Sequence, residues 1–124
     1  MSEDQFEKGD KVRRAVLGDA HVDRSVAKTT AFNQPVIDYI TKYAWGDVWA
    51  RPGLERKTRS ILNLGMLAAM GREPELKLHI RGALRNGVTQ EEMSEIFLQV
   101  AVYCGAPASL EAFRIASEVF EEEA

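Results

Sequence analysis

Cysteine occurs once in the 124 residues, at Cys104, so no intramolecular disulfide, CxxC redox pair or multi-cysteine zinc site can be built within one chain. That scarcity fits a reducing, cytoplasmic setting. A secretory start is lacking as well, because Met-Ser-Glu-Asp-Gln is polar and acidic where a basic start and an apolar stretch would be needed. The apolar stretches around Ile61 to Met70 and Ile96 to Cys104 are interrupted by Asn63 and Gln99 and fall far short of the ~20 residues of a membrane span. No membrane association is expected. Nor is there a basic excess: 16 Lys and Arg stand against 19 Asp and Glu, a net charge of -3, which removes the general argument for a nucleic-acid partner. Histidine occurs only at His21 and His79, without a HExxH pair, so no metal site is expected. Nucleotide-binding glycine loops and the GxSxG elbow are also missing.

What is present suits a packed helical core. The chain is 45% hydrophobic and 28% charged, and its length fits one domain spanning residues 1–124. No run of alternating β-branched residues occurs, so the fold class is all-α. Helices are predicted over about Asp4 to Leu17, stopped by Gly18, over about Arg24 to Thr29, and over Gln34 to Ala44, with Val36, Ile37, Ile40 and Tyr43 at helical spacing. The segment Trp45 to Leu54 holds both tryptophans, two glycines and a Pro-Gly pair and reads as a turn or irregular loop. Glu55 to Met70 is a predicted helix whose second half is apolar on almost every side. A domain this small struggles to surround such a helix, so a homo-oligomer is expected. Another helix runs from near Pro74 to Asn86, followed by one that starts at the capping box Thr89-Gln90-Glu91-Glu92. Met93, Ile96, Phe97, Val100, Ala101 and Cys104 form its inner stripe until Gly105-Ala106-Pro107 breaks it, and a last helix covers about Ala108 to Glu122.

Two groups of residues could carry chemistry. Arg51, Arg56, Lys57 and Arg59 form a basic cluster after the tryptophan segment, and Arg56, Arg59 and Asn63 share one helix side. Arg59 leads into the buried half, where a fork-shaped donor can clamp a carboxylate; a solvated first turn explains Arg56 and Lys57 equally well. His79 borders an apolar face beside Leu76 and Ala83, a position open to either a hydrogen-bonded core residue or a catalytic one. Cys104 reads as core, and Tyr103 faces away from that stripe.

The unit Trp45-Gly46-Asp47-Val48-Trp49-Ala50-Arg51-Pro52-Gly53-Leu54 with Arg56 to Ser60 resembles the carboxymuconolactone decarboxylase family, part of an AhpD-like superfamily. Val12 to Asp23, Glu75 to Arg81 with Asn86 to Thr89, and Tyr103 to Ala108 support the likeness, which spans nearly the whole chain. The resemblance implies an AhpD-like helical fold assembled as a hexamer. It also implies cofactor-free decarboxylation of a dicarboxylate lactone, 4-carboxymuconolactone, in protocatechuate catabolism by the beta-ketoadipate pathway. On that basis His79 and Arg59 are the expected catalytic residues, and Trp45, Trp49, Arg51, Ser60 and Tyr103 the expected substrate-binding ones. The superfamily's peroxidases use a CxxC pair near the position of His79, where this chain has Arg72 and Glu75. An AhpD-like redox protein or a non-catalytic small-acid-binding oligomer is the alternative.

Overall fold

The computed structural model describes residues 2–124, with side chains from Asp4 onward, so Met1 and the side chains of Ser2 and Glu3 lie outside the described residues. Among the described residues, seven α-helices and one π-helix follow in order: α1 Ser2–Leu17, α2 Asp19–Lys28, α3 Gln34–Tyr39, the π-helix Ile40–Trp49, α4 Arg56–Met70, α5 Glu73–Arg85, α6 Gln90–Cys104 and α7 Ala106–Glu123. No strand occurs among the described residues, as the missing alternation requires. Backbone contacts group these elements into two compact units, one ending at Glu55 and the other running from Arg56 to Ala124.

In the first unit, α1 packs along the π-helix. The approach is close enough that a Cβ on Gly9 would overlap the Thr41 carbonyl oxygen, and one on Gly46 would lie 2.7 Å from the Gln5 carbonyl oxygen. Gln5 Nε2 donates to the Lys42 carbonyl at 2.9 Å, fixing the register of the pair. Three expectations change. The tryptophan segment is helical as far as Trp49, and only the residues after it form the turn. The face predicted from Val36, Ile40 and Tyr43 is largely exposed, while Thr41, Trp45 and Trp49 are buried. Thr41, Trp45 and Trp49, spaced four apart, lie on the buried side of the π-helix. The second helix also starts five residues before the predicted position, at Asp19, directly after Gly18 at φ 91°.

The second unit buries Leu64 and Ala68 of α4, Leu76, Ile80 and Ala83 of α5, Met93, Phe97 and Val100 of α6, and Ala112, Ile115, Ala116 and Val119 of α7. Phe97 meets Phe113 edge to face at 5.6 Å, and Ser109 Oγ donates to the Phe97 carbonyl at 2.7 Å, joining α6 to α7 inside the core. The capping box forms as predicted: Glu92 N–H donates to Thr89 Oγ1 at 3.0 Å and Thr89 N–H to Glu92 Oε1 at 2.9 Å. Gly105, at φ 97°, is the real helix break; Pro107 sits in the first turn of α7, where it has no helical bond to lose. Cys104 is exposed and not part of the core. The buried stripe of α6 ends at Val100, because no element covers the last turn on that side. On α4 the outer residues Leu62, Met66 and Met70 are about half exposed or more, so this chain alone does not surround its most apolar helix.

Candidate active site

Helices α4 and α5 form an antiparallel hairpin around Gly71, whose φ of 69° lets Arg72 N–H reach the Leu67 carbonyl at 3.1 Å and reverses the chain. Residues equally far before and after that turn come opposite one another, and Asn63 and His79 are such a pair. Asn63 Nδ2 lies 3.5 Å from His79 Nδ1, both side chains being partly buried. With the Asn63 amide as donor, the neutral imidazole accepts at Nδ1 and carries its proton on Nε2. Arg59 stands one helical turn before Asn63, on the same side of α4; it is half-buried and its Nε is enclosed by protein. Leu76, Ile80 and Ala83 pack next to His79 on α5. A guanidinium, an amide and an imidazole thus lie on one hairpin beside an apolar core, a set whose chemistry can serve a carboxylated substrate and a proton transfer.

The remaining candidates take different positions. Ser60 is 1% exposed and its Oγ accepts from Asn86 Nδ2 at 2.9 Å, tying α4 to the end of α5. Lys57 is bound to Glu92 at 3.1 Å. The Glu92 carboxyl is held below its usual range, first by the Thr89 backbone N–H and then by Lys57. Of the basic cluster, Lys57 therefore serves the α6 cap, Arg56 is exposed, and Arg59 sits partly within the protein. Tyr103 is 78% exposed and lies with Cys104 along an apolar groove of about 500 Å³ between α4 and α6, lined also by Ile61, Met66 and Ile96. In the first unit, Trp45 and Trp49 stack at 4.9 Å with 29° between their planes, both nearly fully buried, and Arg51 is exposed just beyond them.

The sequence places Asn63 on the Arg59 side of α4, but its pairing with His79 and the bond of Asn86 to Ser60 appear only in the structure. Asn63 did leave a signal, as the lone amide in an otherwise apolar stretch, where a buried polar group needs a partner. No cluster of metal-ligating side chains occurs among the described residues, and no helix there is long and apolar enough to cross a membrane.

Among the described residues the chain is all-helical, with Arg59, Asn63 and His79 on its α4–α5 hairpin. The chain belongs to the Carboxymuconolactone decarboxylase family, whose profile matches residues 34–118. It is 45% identical over 120 residues to a 4-carboxymuconolactone decarboxylase of Acinetobacter baylyi, covering 97% of this chain and 90% of that protein. It is 44% identical over 117 residues to the nitrosuccinic acid decarboxylase npaB of Metarhizium robertsii, covering 94% and 82% respectively. A 4-carboxymuconolactone decarboxylase sequence from Pseudomonas putida matches over 48 residues at 52% identity, covering 38% of this chain and all of that sequence.

Proposed function

We propose that this chain is a carboxy-lyase that converts 4-carboxymuconolactone to 3-oxoadipate enol-lactone and carbon dioxide in protocatechuate breakdown. The observation that carries this reading is the near full-length similarity to the Acinetobacter baylyi decarboxylase. The Arg59, Asn63 and His79 face supports a mechanism for it.

The departing carboxylate sits on the ring carbon beside the ring oxygen, which also bears an acetate arm. A conjugated double bond links that carbon to the lactone carbonyl. When the bond to the carboxylate breaks, its electron pair moves through the ring onto the carbonyl oxygen, giving a furanolate, and carbon dioxide leaves. A proton added to the ring carbon next to the carbonyl completes the enol-lactone. The lactone is thus its own electron sink, and the protein has to bind the anion, stabilise the oxyanion and deliver one proton. Arg59 binds a carboxylate or the carbonyl oxygen. His79, with Nδ1 accepting from Asn63, offers Nε2–H to the developing oxyanion or the carbon. Trp45, Trp49, Arg51, Ser60 and Tyr103 are assigned to substrate binding on the motif match alone.

The fungal relative favours a second substrate of related design. Nitrosuccinate also carries its departing carboxylate on a carbon that bears an acetate arm and an electron-accepting group, with the nitro group taking the pair as a nitronate. We further propose a cytoplasmic homo-oligomer, a hexamer by family resemblance, in which a second subunit covers Leu62, Met66 and Met70. Sedimentation as a monomer at micromolar concentration contradicts that assembly. For the reaction, the test is carbon dioxide release from freshly generated lactone, set against a protein-free control because the lactone decays unaided. Release well above the control supports the reading, and release equal to it overturns it.

A further inference from the structure

A cavity of about 280 Å³ opens in the first unit between α2 and the start of α3, lined by His21, Arg24, Ser25, Lys28, Asn33 and Ile37, with Thr29 at its edge. Its size is near the lower end of the ~300 Å³ at which small-molecule pockets begin, which suits a small metabolite better than a nucleotide. The charge of α2 is divided by face. Its acidic residues Asp19 and Asp23 turn to Arg14, at 3.1 and 2.8 Å, while His21, Arg24 and Lys28 turn to the cavity. No carboxylate is among the lining residues, although acidic side chains outnumber basic ones in the chain.

The hydrogen bonds in the wall leave it rich in donors. Ser25 Oγ accepts from Arg13 Nη2 at 2.9 Å, which leaves its hydroxyl proton to give. Asn33 Oδ1 accepts from Thr30 N–H at 2.7 Å, so its amide NH₂ is the end left to give. Arg24 and Lys28 are in no ion pair among the described residues. Behind the wall lies a buried cation: Arg13 is 9% exposed, and its guanidinium bonds to Ser25 with no carboxylate within ion-pair distance among the described residues. Burial pushes its pKa down, against a weaker upward pull from Asp10. A buried charge without a close counter-ion is costly, and an anion in the cavity would offset that cost.

We propose that this cavity is a binding site for a short-chain dicarboxylate. Arg24 and Lys28 are one turn apart, ~6 Å along the helix axis, so each can take one end of a diacid. Ile37 supplies an apolar contact for the carbon chain between them. The proposal does not depend on the decarboxylase reading, because its test uses diacids that do not react.

The chain has two histidines, so the imidazole proton spectrum has two sets of signals, assigned with the His79→Gln variant. Glutarate added at constant ionic strength should shift the His21 signal saturably, with a midpoint at or below about 1 mM. Acetate and inorganic phosphate should need at least about tenfold more, and Arg24→Ala/Lys28→Ala, two exposed positions, should weaken glutarate by about tenfold or more with the helical signal unchanged. Three results overturn the proposal: no saturable shift at His21, equal midpoints for acetate or phosphate, or a double variant that binds glutarate as well as the parent does.

Discussion

Asn63 Nδ2 stands 3.5 Å from Nδ1 of His79, across a helical hairpin that turns at Gly71. The amide can give a proton to that nitrogen, and a carboxylate in its place can only accept one. In Asn63→Asp the imidazole proton therefore moves to Nδ1, and the acceptor end, without its proton, is presented at Nε2. The new negative charge also favours the imidazolium. Turnover at neutral pH should fall at least about tenfold, and the ascending limb of the pH–rate profile, where the imidazolium gives way to the neutral ring, should move to higher pH. Asn63→Ala should lower turnover without that displacement. A pH–rate profile of the three proteins checks both statements.

Gly9 touches the backbone of the π-helix at Thr41, and any side chain there overlaps the Thr41 carbonyl. Gly9→Ala should destabilise the protein by about 3 kcal/mol, at the upper end of overpacking penalties, since backbone and not a flexible side chain must yield. Gly53→Ala, where no atom lies near the new Cβ, serves as the matched control and should leave the melting temperature nearly unchanged. Thermal unfolding followed by circular dichroism compares the two.

The Glu92 carboxyl is held below its ordinary value by the Thr89 backbone N–H and by Lys57. A carboxylate whose folded value is depressed contributes stability that is fully present above its unfolded value, about 4.3, and is lost as pH falls through the folded value. Glu92→Gln should therefore have a lower melting temperature than the parent at neutral pH. The difference should shrink as pH falls below about 4.3 and through the lower folded value. A difference that stays constant over that range would show that the ionised form is not the one that caps α6.

Much of the helical order was legible before any coordinates, because caps and glycines are local signals. Thr89 with Glu92 placed the start of α6 to the residue, and Gly18 marked the end of α1. The tryptophan segment was misread because glycine and proline content predicts turns, while the π winding that holds Trp45 and Trp49 depends on packing against α1. Cys104 continues the α6 stripe by spacing, yet it is exposed, because periodicity reports a face and not whether anything covers it. On the site, sequence pointed to Arg59 and His79 separately. The pairing of His79 with Asn63 required knowing how α4 folds back on α5, which no spacing within one helix encodes.

The most direct test of the account is the rate of 4-carboxymuconolactone loss, followed by ultraviolet absorbance with parallel carbon dioxide measurement, for the parent chain, His79→Gln and Arg59→Ala. The parent should exceed the protein-free decay. His79→Gln should lose a factor of about 10² to 10⁴ in kcat with its fold intact, as expected for loss of a proton donor. Arg59→Ala should lose about 10- to 100-fold in kcat/KM, as expected for a charge-assisted contact. Full turnover by a folded His79→Gln protein would contradict the assignment of the chemistry to the α4–α5 hairpin.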